Sequence, residues 1–215
     1  MLTLYGYWRS SAAYRVRIAI NYKQLTAEHI AVNLINNGGE HHQKTYTKLN
    51  PQRLVPTLKD DNLVLTQSLA IIEYLNDKYP QHSLLPENIN DKAIVRSMAQ
   101  AIACDIHPLN NLRVLTFLNS SLEISKEQRS LWYRHWILEG FNAFEQMLEK
   151  YSGQFCFQND FSLADVCLIP QVYNAKRFDI PLNNYPNIMR ISDACDTLTW
   201  VKKSSPETQM DAVYS

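Results

Sequence analysis

The strongest constraint on the fold is a change in hydrophobic pattern near residue 80 of the 215-residue chain. Before that point, short apolar runs typical of strands alternate with helical spacing, in the order strand, helix, strand, helix, strand, strand, helix. The segment YPQHSLLPENIN interrupts this pattern, and the spacing after it is helical almost throughout. The sequence therefore predicts an α/β domain with a mixed sheet over residues 1–80, a linker over 81–90 and an all-helical domain over 91–215.

The individual elements follow from the same spacing. Strands are predicted at LTLYGY, AEHIAVNL, LVPTLKD and NLVLT, with helices at residues 12–23 and at SLAIIEYLNDKY. GGEHHQKTYTKLN is expected to form a loop and an irregular helix. In the second domain, the predicted helices cover 91–105, 108–118, 126–151, 163–178 and 186–199. The fourth of these begins at SLAD, which has the form of a capping box. The polar tail from Lys202 is expected to be frayed.

Composition excludes several classes of function. The 21 basic residues balance the 21 acidic ones, so net charge gives no argument for a nucleic-acid or membrane partner. No apolar run approaches the roughly 20 residues of a membrane helix, and the N-terminus lacks the features of a signal peptide. The cysteines have neither CxxC nor metal-site spacing, which predicts reduced, mostly buried thiols and no metal, with a single disulfide as the alternative: Cys104, Cys156, Cys167 and Cys195. We therefore expect a cytoplasmic protein.

Hydroxyl residues stand where two predicted helices begin. Ser10 and Ser11 open SSAAYRVR directly after the first strand, and Gln67 with Ser68 opens SLAIIEYL. Either pair can simply cap its helix. A helix N-terminus also attracts anions, so Ser68 can lie at a carboxylate site and the first pair at a thiolate site. No GxSxG context marks a nucleophilic serine, and a hydroxyl in this position can instead donate a hydrogen bond to a ligand's thiolate.

Val55 and Pro56 lie within a strand-like segment, where proline is unfavourable in a sheet interior. A tight turn, for which a cis peptide bond is one solution, would accommodate the proline. Such a turn would leave the N–H and C=O of Val55 available to a peptide-like ligand. The alternative is an ordinary proline at a sheet edge.

Taken in order, these motifs resemble those of the glutathione transferases. SSAAYRVRIAI is similar to the signature of their zeta class, and NPQRLVPTL and QSLAIIEYL resemble the rest of its glutathione-binding half. DIHPLNNLRVL and LIPQVYNAKRF resemble the second domain of the same class, so the resemblance covers nearly the whole chain. One departure is Ala12, where many zeta enzymes have cysteine. The implied fold is a thioredoxin-like domain with a four-stranded mixed sheet, followed by an all-helical domain.

The resemblance also implies the site residues. Glutathione would be bound by residues of both domains, with one of the two serines next to its thiol and Ser10 favoured over Ser11: Ser10, Ser11, His41, Val55, Pro56, Gln67, Ser68 and His107. Three arginines match positions that line the substrate pocket: Arg9, Arg113 and Arg177. An arginine fork suits a carboxylate, although Arg113 and Arg177 lie on predicted helices and could simply be solvated. Arg9 and Arg177, with the serines, are the predicted catalytic residues.

The implied activity is a glutathione-dependent cis–trans isomerisation of a small dicarboxylate. A thiolate that adds to a conjugated cis double bond leaves a single bond that rotates, and its departure restores the alkene in trans form. The favoured reaction is maleylacetoacetate to fumarylacetoacetate, in tyrosine and phenylalanine breakdown, with maleylpyruvate as the alternative substrate. Two further hypotheses are a transferase that conjugates or dehalogenates small anionic electrophiles and a non-catalytic glutathione-binding protein. The resemblance also implies a homodimer with the site between the two domains.

Overall fold

The computed structural model describes residues 1–213, apart from the side chain of Asn37. They form two compact units. The first comprises Met1–Leu84 together with the described residues from Asp196 onward, and the second is Leu85–Cys195.

The first unit is built on a four-stranded sheet. Its strands are β1 (Leu2–Gly6), β2 (Ala27–Ala31), β3 (Thr57–Asp60) and β4 (Leu63–Thr66), in the order β2-β1-β3-β4. β1 and β2 are parallel, whereas β3 is antiparallel to both β1 and β4. The parallel pair requires a crossover, which the helix α1 (Ser11–Tyr22) supplies. The predicted mixed sheet of four strands is confirmed.

Helix α1 and the helix α3 (Ser68–Lys78) contact each other and bury their apolar residues with those of the sheet. Leu4 and Leu58, which are opposite each other in β1 and β3, are 1% and 0% exposed. A Cβ on Gly6 would lie 3.2 Å from the Cβ of Ala13, so the end of β1 approaches α1 closely. This close packing fixes where the turn between β1 and α1 lies.

The segment between β2 and β3 has the irregular form that the sequence predicts. It contains two 3-10 helices, Asn36–Gly38 and Glu40–His42, followed by the short α2 (Lys44–Thr47). Gly39, which separates the two 3-10 helices, has φ +92°. A Cβ there would lie 2.3 Å from Cε1 of His41, so both the backbone and the neighbouring ring require glycine.

The second unit is helical. Its helices are α4 (Ile89–Gln100), α5 (Leu112–Ser120), α6 (Lys126–Tyr151), α7 (Leu163–Arg177) and most of α8 (Pro186–Asp196). α4 continues as a π-helix over Ala101–Ile106 and a 3-10 helix over His107–Asn110. The sequence predicts that these irregular turns are parts of two α-helices. A single π or 3-10 turn is too short for its apolar spacing to be distinguished from that of an α-helix.

The capping box predicted for SLAD is present at the start of α7. The Ser162 side chain is bonded to the backbone of Asp165, and the Asp165 side chain to that of Ser162. Oδ1 of Asp165 also accepts from the N–H of Cys156 at 2.8 Å. The carboxyl group is fully buried, which raises its pKa although these hydrogen bonds favour the ionised form. Asp165 therefore fastens the start of α7 to the preceding loop.

The C-terminal residues differ from the prediction. The sequence assigns all of 91–215 to the helical domain, but residues 196–213 belong to the first unit, where α9 (Thr199–Ser204) contacts α1. Nε of Arg17 donates to the carbonyl of Ser204 at 3.0 Å, and the ring of Trp200 lies 5.4 Å from that of Tyr22. The predicted fraying from Lys202 is wrong for the residues that form the end of α9 and the 3-10 helix Pro206–Thr208, and the last two residues of the predicted tail, 214 and 215, lie outside the described range. The sequence predicts a single last helix over 186–199, whereas in the structure α8 ends at Asp196 and α9 is a separate helix. Helical spacing therefore identified neither α9 nor the surface on which it docks.

Two further predictions concern the cysteine thiols and membrane-spanning helices. Cys156, Cys167 and Cys195 are buried thiols and Cys104 is an exposed one, which confirms thiols that are mostly buried. Burial raises the pKa of the Cys156 thiol, so it is a poor nucleophile. Within the described range 1–213, none of the helices has the length and apolar character that crossing a membrane requires.

Candidate active site

The register of the sheet brings three predicted site segments to one end of the sheet. Thr57, the first residue of β3, pairs with Tyr5 of β1 and with Thr66 of β4. Because β3 runs opposite to both neighbours, its start lies beside the ends of β1 and β4. Consequently the turn after β1, the residues before β3 and the residue after β4 share this end. They carry the serine pair, the Val55–Pro56 pair and Gln67.

Ser10 and Ser11 have different positions at the start of α1. Ser10 is the N-cap, and its Oγ accepts from the N–H of Ala13 at 3.2 Å. A capping serine uses an oxygen lone pair, so the hydroxyl hydrogen can still be donated to a ligand. Ser10 is half-buried, whereas Ser11 lies in the first turn and is 6% exposed. Of the two hydroxyls, that of Ser10 is the better placed to contact a ligand at the helix N-terminus.

The Val55–Pro56 peptide bond is cis. Pro56 is buried and directly precedes β3, so it does not interrupt the strand ladder. Val55 is half-buried, and no residue in 1–213 forms a hydrogen bond with its backbone N–H or C=O. The predicted turn is confirmed, and its backbone presents one donor and one acceptor.

The start of α3 has the properties of an anion site. Gln67 is the N-cap residue, with φ +70°, and its side chain does not cap the helix. Instead its Nε2 donates to Oε1 of Gln52 at 3.0 Å. A non-glycine residue at such a φ costs about 1–3 kcal/mol and is commonly associated with function. Ser68, taken from the sequence as a possible N-cap, is the first residue of the helix.

A buried guanidinium adds positive charge next to this helix start. Arg15 is 2% exposed, and its Nη1 donates to Oγ of Ser68 at 3.3 Å. Arg15 is not among the site residues that the sequence analysis predicts. One sequence signal could have indicated that Arg15 is buried. Arg15 lies on a face of α1 that also carries Val16 and Ala19, and both of these are fully buried. Arg15 and the first N–H groups of α3 together favour a bound carboxylate.

His41 lies in the segment between β2 and β3. Its ring centroid is 3.9 Å from that of His42, and its Nδ1 is buried without a hydrogen-bond partner among the described residues. Burial, and then the nearby charges of His42 and Arg53, lower the pKa of His41, so the imidazole is neutral at neutral pH. Gln52, the neighbour of Arg53, bonds Gln67. The loop between α2 and β3 therefore carries one residue, Arg53, whose charge acts on His41, and another, Gln52, that accepts a hydrogen bond from Gln67 at the start of α3.

Arg9 immediately precedes the serine pair. Its guanidinium carbon lies 4.7 Å from the centroid of the Trp8 ring, and the residue is half-buried. The stacking orients the side chain while leaving the in-plane N–H donors available for a carboxylate.

The remaining predicted residues belong to the second unit. His107 is half-buried where the π-helix changes to a 3-10 helix, and Arg113 is exposed in the first turn of α5. Arg177 is the exposed last residue of α7, and its guanidinium carbon lies 4.6 Å from the centroid of the Phe178 ring.

Tyr133 is a neighbour of Arg177 that sequence reasoning missed. It is 4% exposed, and its ring centroid lies 3.9 Å from that of Phe178. Burial raises the pKa of Tyr133 to about 12, although the charge of Arg177 and a hydrogen bond from it act in the opposite direction. Aromatic residues at helical spacing are common in cores, so the sequence alone gave no reason to single out this one.

The donor set of the first unit fits glutathione. The start of α3 with Arg15 suits a carboxylate, the backbone of Val55 suits a peptide unit, and the Ser10 hydroxyl suits a thiolate. Among residues 1–213, no group of three or more His, Cys, Asp or Glu side chains is arranged to hold a metal ion. A thioredoxin-like unit with these features, joined to a helical unit, defines a glutathione transferase.

Comparison with known proteins agrees with this class. The profile of the family described as "Glutathione S-transferase, N-terminal domain" matches residues 4–83. A probable maleylacetoacetate isomerase of Vibrio cholerae is 50% identical over 98% of both chains. The holo structure of a bacterial zeta-class maleylpyruvate isomerase has a TM-score of 0.95 at 38% identity, covering 98% of this chain and 100% of the other. A maleylacetoacetate isomerase of Methylobacterium extorquens, solved with malonate and glutathione, has a TM-score of 0.94 at 37% identity, covering 99% and 100%.

The chain belongs to the glutathione transferase family, and within it to the zeta class of maleylacetoacetate and maleylpyruvate isomerases. Membership confirms four predictions from the sequence, namely the family, the fold class, the glutathione-dependent isomerase class and glutathione as the cofactor. The individual site residues remain predictions.

Proposed function

We propose that this protein converts maleylacetoacetate to fumarylacetoacetate in tyrosine and phenylalanine catabolism, with glutathione as cofactor. The observation that carries the proposal is the end of the sheet, where Ser10, Val55 and Gln67 offer donors for a thiolate, a peptide unit and a carboxylate. The identity of 50% to a probable maleylacetoacetate isomerase supports the choice of substrate. Maleylpyruvate is the second candidate substrate, because the maleylpyruvate isomerase structure has a TM-score of 0.95.

Five residues of the first unit would hold the peptide portion of glutathione. The γ-glutamyl carboxylate suits Gln67, Ser68 and the α3 N-terminus, and the cysteinyl backbone suits Val55, whose orientation Pro56 fixes. His41 is proposed for the glycyl end, where its buried and neutral imidazole can hydrogen-bond without adding charge. His107 of the second unit is proposed as a further contact. When bound, glutathione supplies a thiolate that adds reversibly to the cis double bond and so permits rotation.

The protein's own contribution to the thiol is electrostatic. Ser10 donates its hydroxyl hydrogen, and the positive end of α1 favours the anion, so both lower the pKa of a neighbouring thiol. Ser11, which is more buried, is the alternative donor. The serine accepts no proton and attacks nothing, so the site needs no histidine base next to it.

Arginines would hold the dicarboxylate and stabilise the enolate that develops on addition. Arg9 is adjacent to the proposed thiol donor, and the exposed Arg177 is oriented by Phe178 and Tyr133. Arg113, exposed at the start of α5, is proposed as a further carboxylate contact. Charge that is fixed in advance costs no reorganisation when the negative charge develops. The malonate bound with glutathione in the Methylobacterium enzyme is itself a dicarboxylate, which supports this substrate class.

We also propose that the protein is a homodimer and acts in the cytoplasm without a nucleic-acid or membrane partner. The balance of 21 basic and 21 acidic residues supports the absence of a polyanionic partner. The four cysteine thiols support a reducing compartment.

The central experiment measures isomerisation of maleylacetone, an analogue of maleylacetoacetate, with and without glutathione. We expect rapid isomerisation that requires glutathione and leaves its concentration unchanged. Depletion of glutathione would instead indicate a conjugating transferase, and no turnover of the maleyl substrates despite glutathione binding would refute the proposal. The ratio of kcat/KM for maleylpyruvate and maleylacetone then distinguishes the two candidate substrates.

Arg177→Ala tests the substrate role. Loss of a hydrogen bond to a charged group, worth about 1.5–3 kcal/mol, predicts a decrease in kcat/KM for maleylacetone of roughly 10- to 150-fold. Glutathione affinity, measured by calorimetric titration, should be unchanged. Arg134→Ala removes the same charge from an exposed position on α6 and serves as the control. Equal losses of substrate and glutathione binding would refute the assigned role.

A further inference from the structure

The end of the chain returns to the turn that carries the proposed thiol donor. The backbone N–H of Trp8, two residues before Ser10, donates to Oδ2 of Asp211 at 3.0 Å. The two partners are 203 positions apart in sequence. We refer to residues 199–211, which comprise α9 and the turns after it, as the C-terminal strap.

Arg17 joins the strap to the same turn. Its side chain is 3% exposed, and its Nε donates to the carbonyl of Ser204 in the strap at 3.0 Å. Nη2 of the same guanidinium donates to the carbonyl of Trp8 at 3.0 Å, and Nη1 to that of Tyr7 at 3.5 Å. Both polar groups of the Trp8 backbone are therefore held, the carbonyl by Arg17 and the N–H by Asp211.

Other contacts fasten the strap to α1. Nδ2 of Asn21 donates to Oγ of Ser204 at 2.7 Å, and this hydroxyl donates to the carbonyl of Trp200 at 2.6 Å. The ring of Trp200 packs edge-on against Tyr22 at 5.4 Å. The strap thus has a fixed position from which the carboxylate of Asp211 can reach the turn.

The restrained turn determines where Ser10 lies. The N–H of Ser10 donates to the carbonyl of Tyr7 at 2.9 Å, and this is the same carbonyl that Nη1 of Arg17 contacts. A rotation of the Trp8 peptide would therefore change the direction of the Ser10 hydroxyl. A displacement of about 1 Å at a reacting group can cost about 100-fold in rate.

We propose that Asp211 is a positioning residue for the reaction. Its carboxylate holds the Trp8 peptide, so that the turn between β1 and α1 directs the Ser10 hydroxyl at the glutathione thiol. This inference rests on the proposed function of Ser10 and assigns that site a further residue from the other end of the chain. Asp211 acts through the backbone of Trp8.

The test compares Asp211→Ala with Asp211→Asn. Alanine removes the acceptor, whereas asparagine keeps a carbonyl oxygen for the Trp8 N–H and loses only the charge. Asp77→Asn is the control, because it removes one negative charge from an exposed position on α3 in the same unit. The readouts are the ionisation of the thiol of bound glutathione, followed by ultraviolet absorbance of the thiolate against pH, and the kinetics with maleylacetone.

For Asp211→Ala we expect a smaller thiolate fraction at neutral pH and a kcat about tenfold lower, near the low end for loss of a hydrogen bond to a charged group. The KM for glutathione should change little, because Gln67 is bonded by Gln52 and Ser68 by Arg15, and neither hydrogen bond involves Asp211. Asp211→Asn should retain activity within about twofold. A merely structural role would lower the amount of folded protein without altering thiol ionisation.

Unchanged thiol ionisation and kcat in Asp211→Ala would overturn the proposal, and so would an Asp211→Asn variant as impaired as the alanine variant. The thiol titration needs only glutathione and no maleyl substrate. It therefore tests the role of Asp211 even if the wild-type protein does not isomerise maleylacetone. Failure of the wild type to isomerise maleylacetone would refute the proposed function, not the role of Asp211. If Asp211→Ala does not fold, amide hydrogen exchange of the wild-type protein tests whether the Trp8 N–H is held by Asp211. A protected Trp8 N–H is expected, and exchange as fast as in an unfolded peptide would overturn the proposal.

Discussion

Replacing Ser10 with alanine separates the structural role of this serine from its proposed chemical role. The structural role is the cap, since Oγ of Ser10 accepts from the N–H of Ala13 at 3.2 Å. Loss of an N-cap serine costs about 1 kcal/mol. For a chain of this length, that loss lowers Tm by about 2–4 °C. The variant should therefore fold normally, and it remains suitable for a measurement of ligand chemistry.

The chemical effect should be larger than the structural one. A hydrogen bond to a charged group contributes about 1.5–3 kcal/mol. If Ser10 donates to the thiolate, the pKa of the bound glutathione thiol should rise by about 1–2 units in Ser10→Ala. The ultraviolet absorbance of the thiolate against pH gives this pKa directly. Thermal unfolding of the same samples gives the cost of the lost cap.

Two matched variants complete the experiment. Ser11→Ala removes the neighbouring hydroxyl, which is more buried and does not cap the helix, and it should leave the thiol pKa near its wild-type value. Ser10→Thr keeps both the cap and the donor and should restore most of the effect. If Ser11→Ala raises the thiol pKa more than Ser10→Ala does, the cap-based argument for Ser10 is wrong.

Two further predictions concern stability. Asp60 accepts from the Lys78 ammonium and from the Tyr74 hydroxyl, and these contacts hold the pKa of its carboxyl below the usual value. The resulting stabilisation is present above the unfolded pKa of about 4 and is lost as the pH falls through the lower folded value. In urea unfolding at a series of acidic pH values, Asp60→Asn should therefore show a weaker pH dependence than wild type, and equal slopes would contradict this. Asp165→Ala leaves the buried N–H of Cys156 and both donors of Ser162 without their acceptor. At about 1–3 kcal/mol for each buried donor, we expect a loss of at least about 3 kcal/mol in the free energy of unfolding, and a loss below about 1 kcal/mol would contradict the assignment.

Local sequence signals located most of the elements correctly. The predicted helix over 126–151 has the bounds of α6, since its start carries a strong local signal, the capping box of Ser125 and Gln128. The SLAD box likewise marks the start of α7. The segment after α4 was predicted less well, because a π-turn over Ala101–Ile106 leaves almost no trace in hydrophobic spacing.

The candidate site was predictable where a motif and a helix start coincide. Ser10 and Ser68 could be singled out because a hydroxyl at a helix start suggests capping or anion binding. Arg15 could not, because its role depends on the distance of 3.3 Å between its guanidinium and Ser68, which lies 53 residues away. Tyr133 was missed for the same reason, since its relation to Arg177 depends on the packing of α6 against the end of α7.

By itself, the sequence determined the change from α/β to helical structure near residue 80, most helix starts and the family, because these depend on residues close together in the chain. Only the tertiary structure decided that the end of β1, the start of β3 and the end of β4 meet, since strand register depends on pairing between distant segments. It also decided that residues 196–213 belong to the first unit, where the carboxylate of Asp211 accepts from the N–H of Trp8. Hydrophobic spacing specifies which face of a helix is buried, but the buried hydrogen bonds of groups such as Arg17 determine where that helix docks.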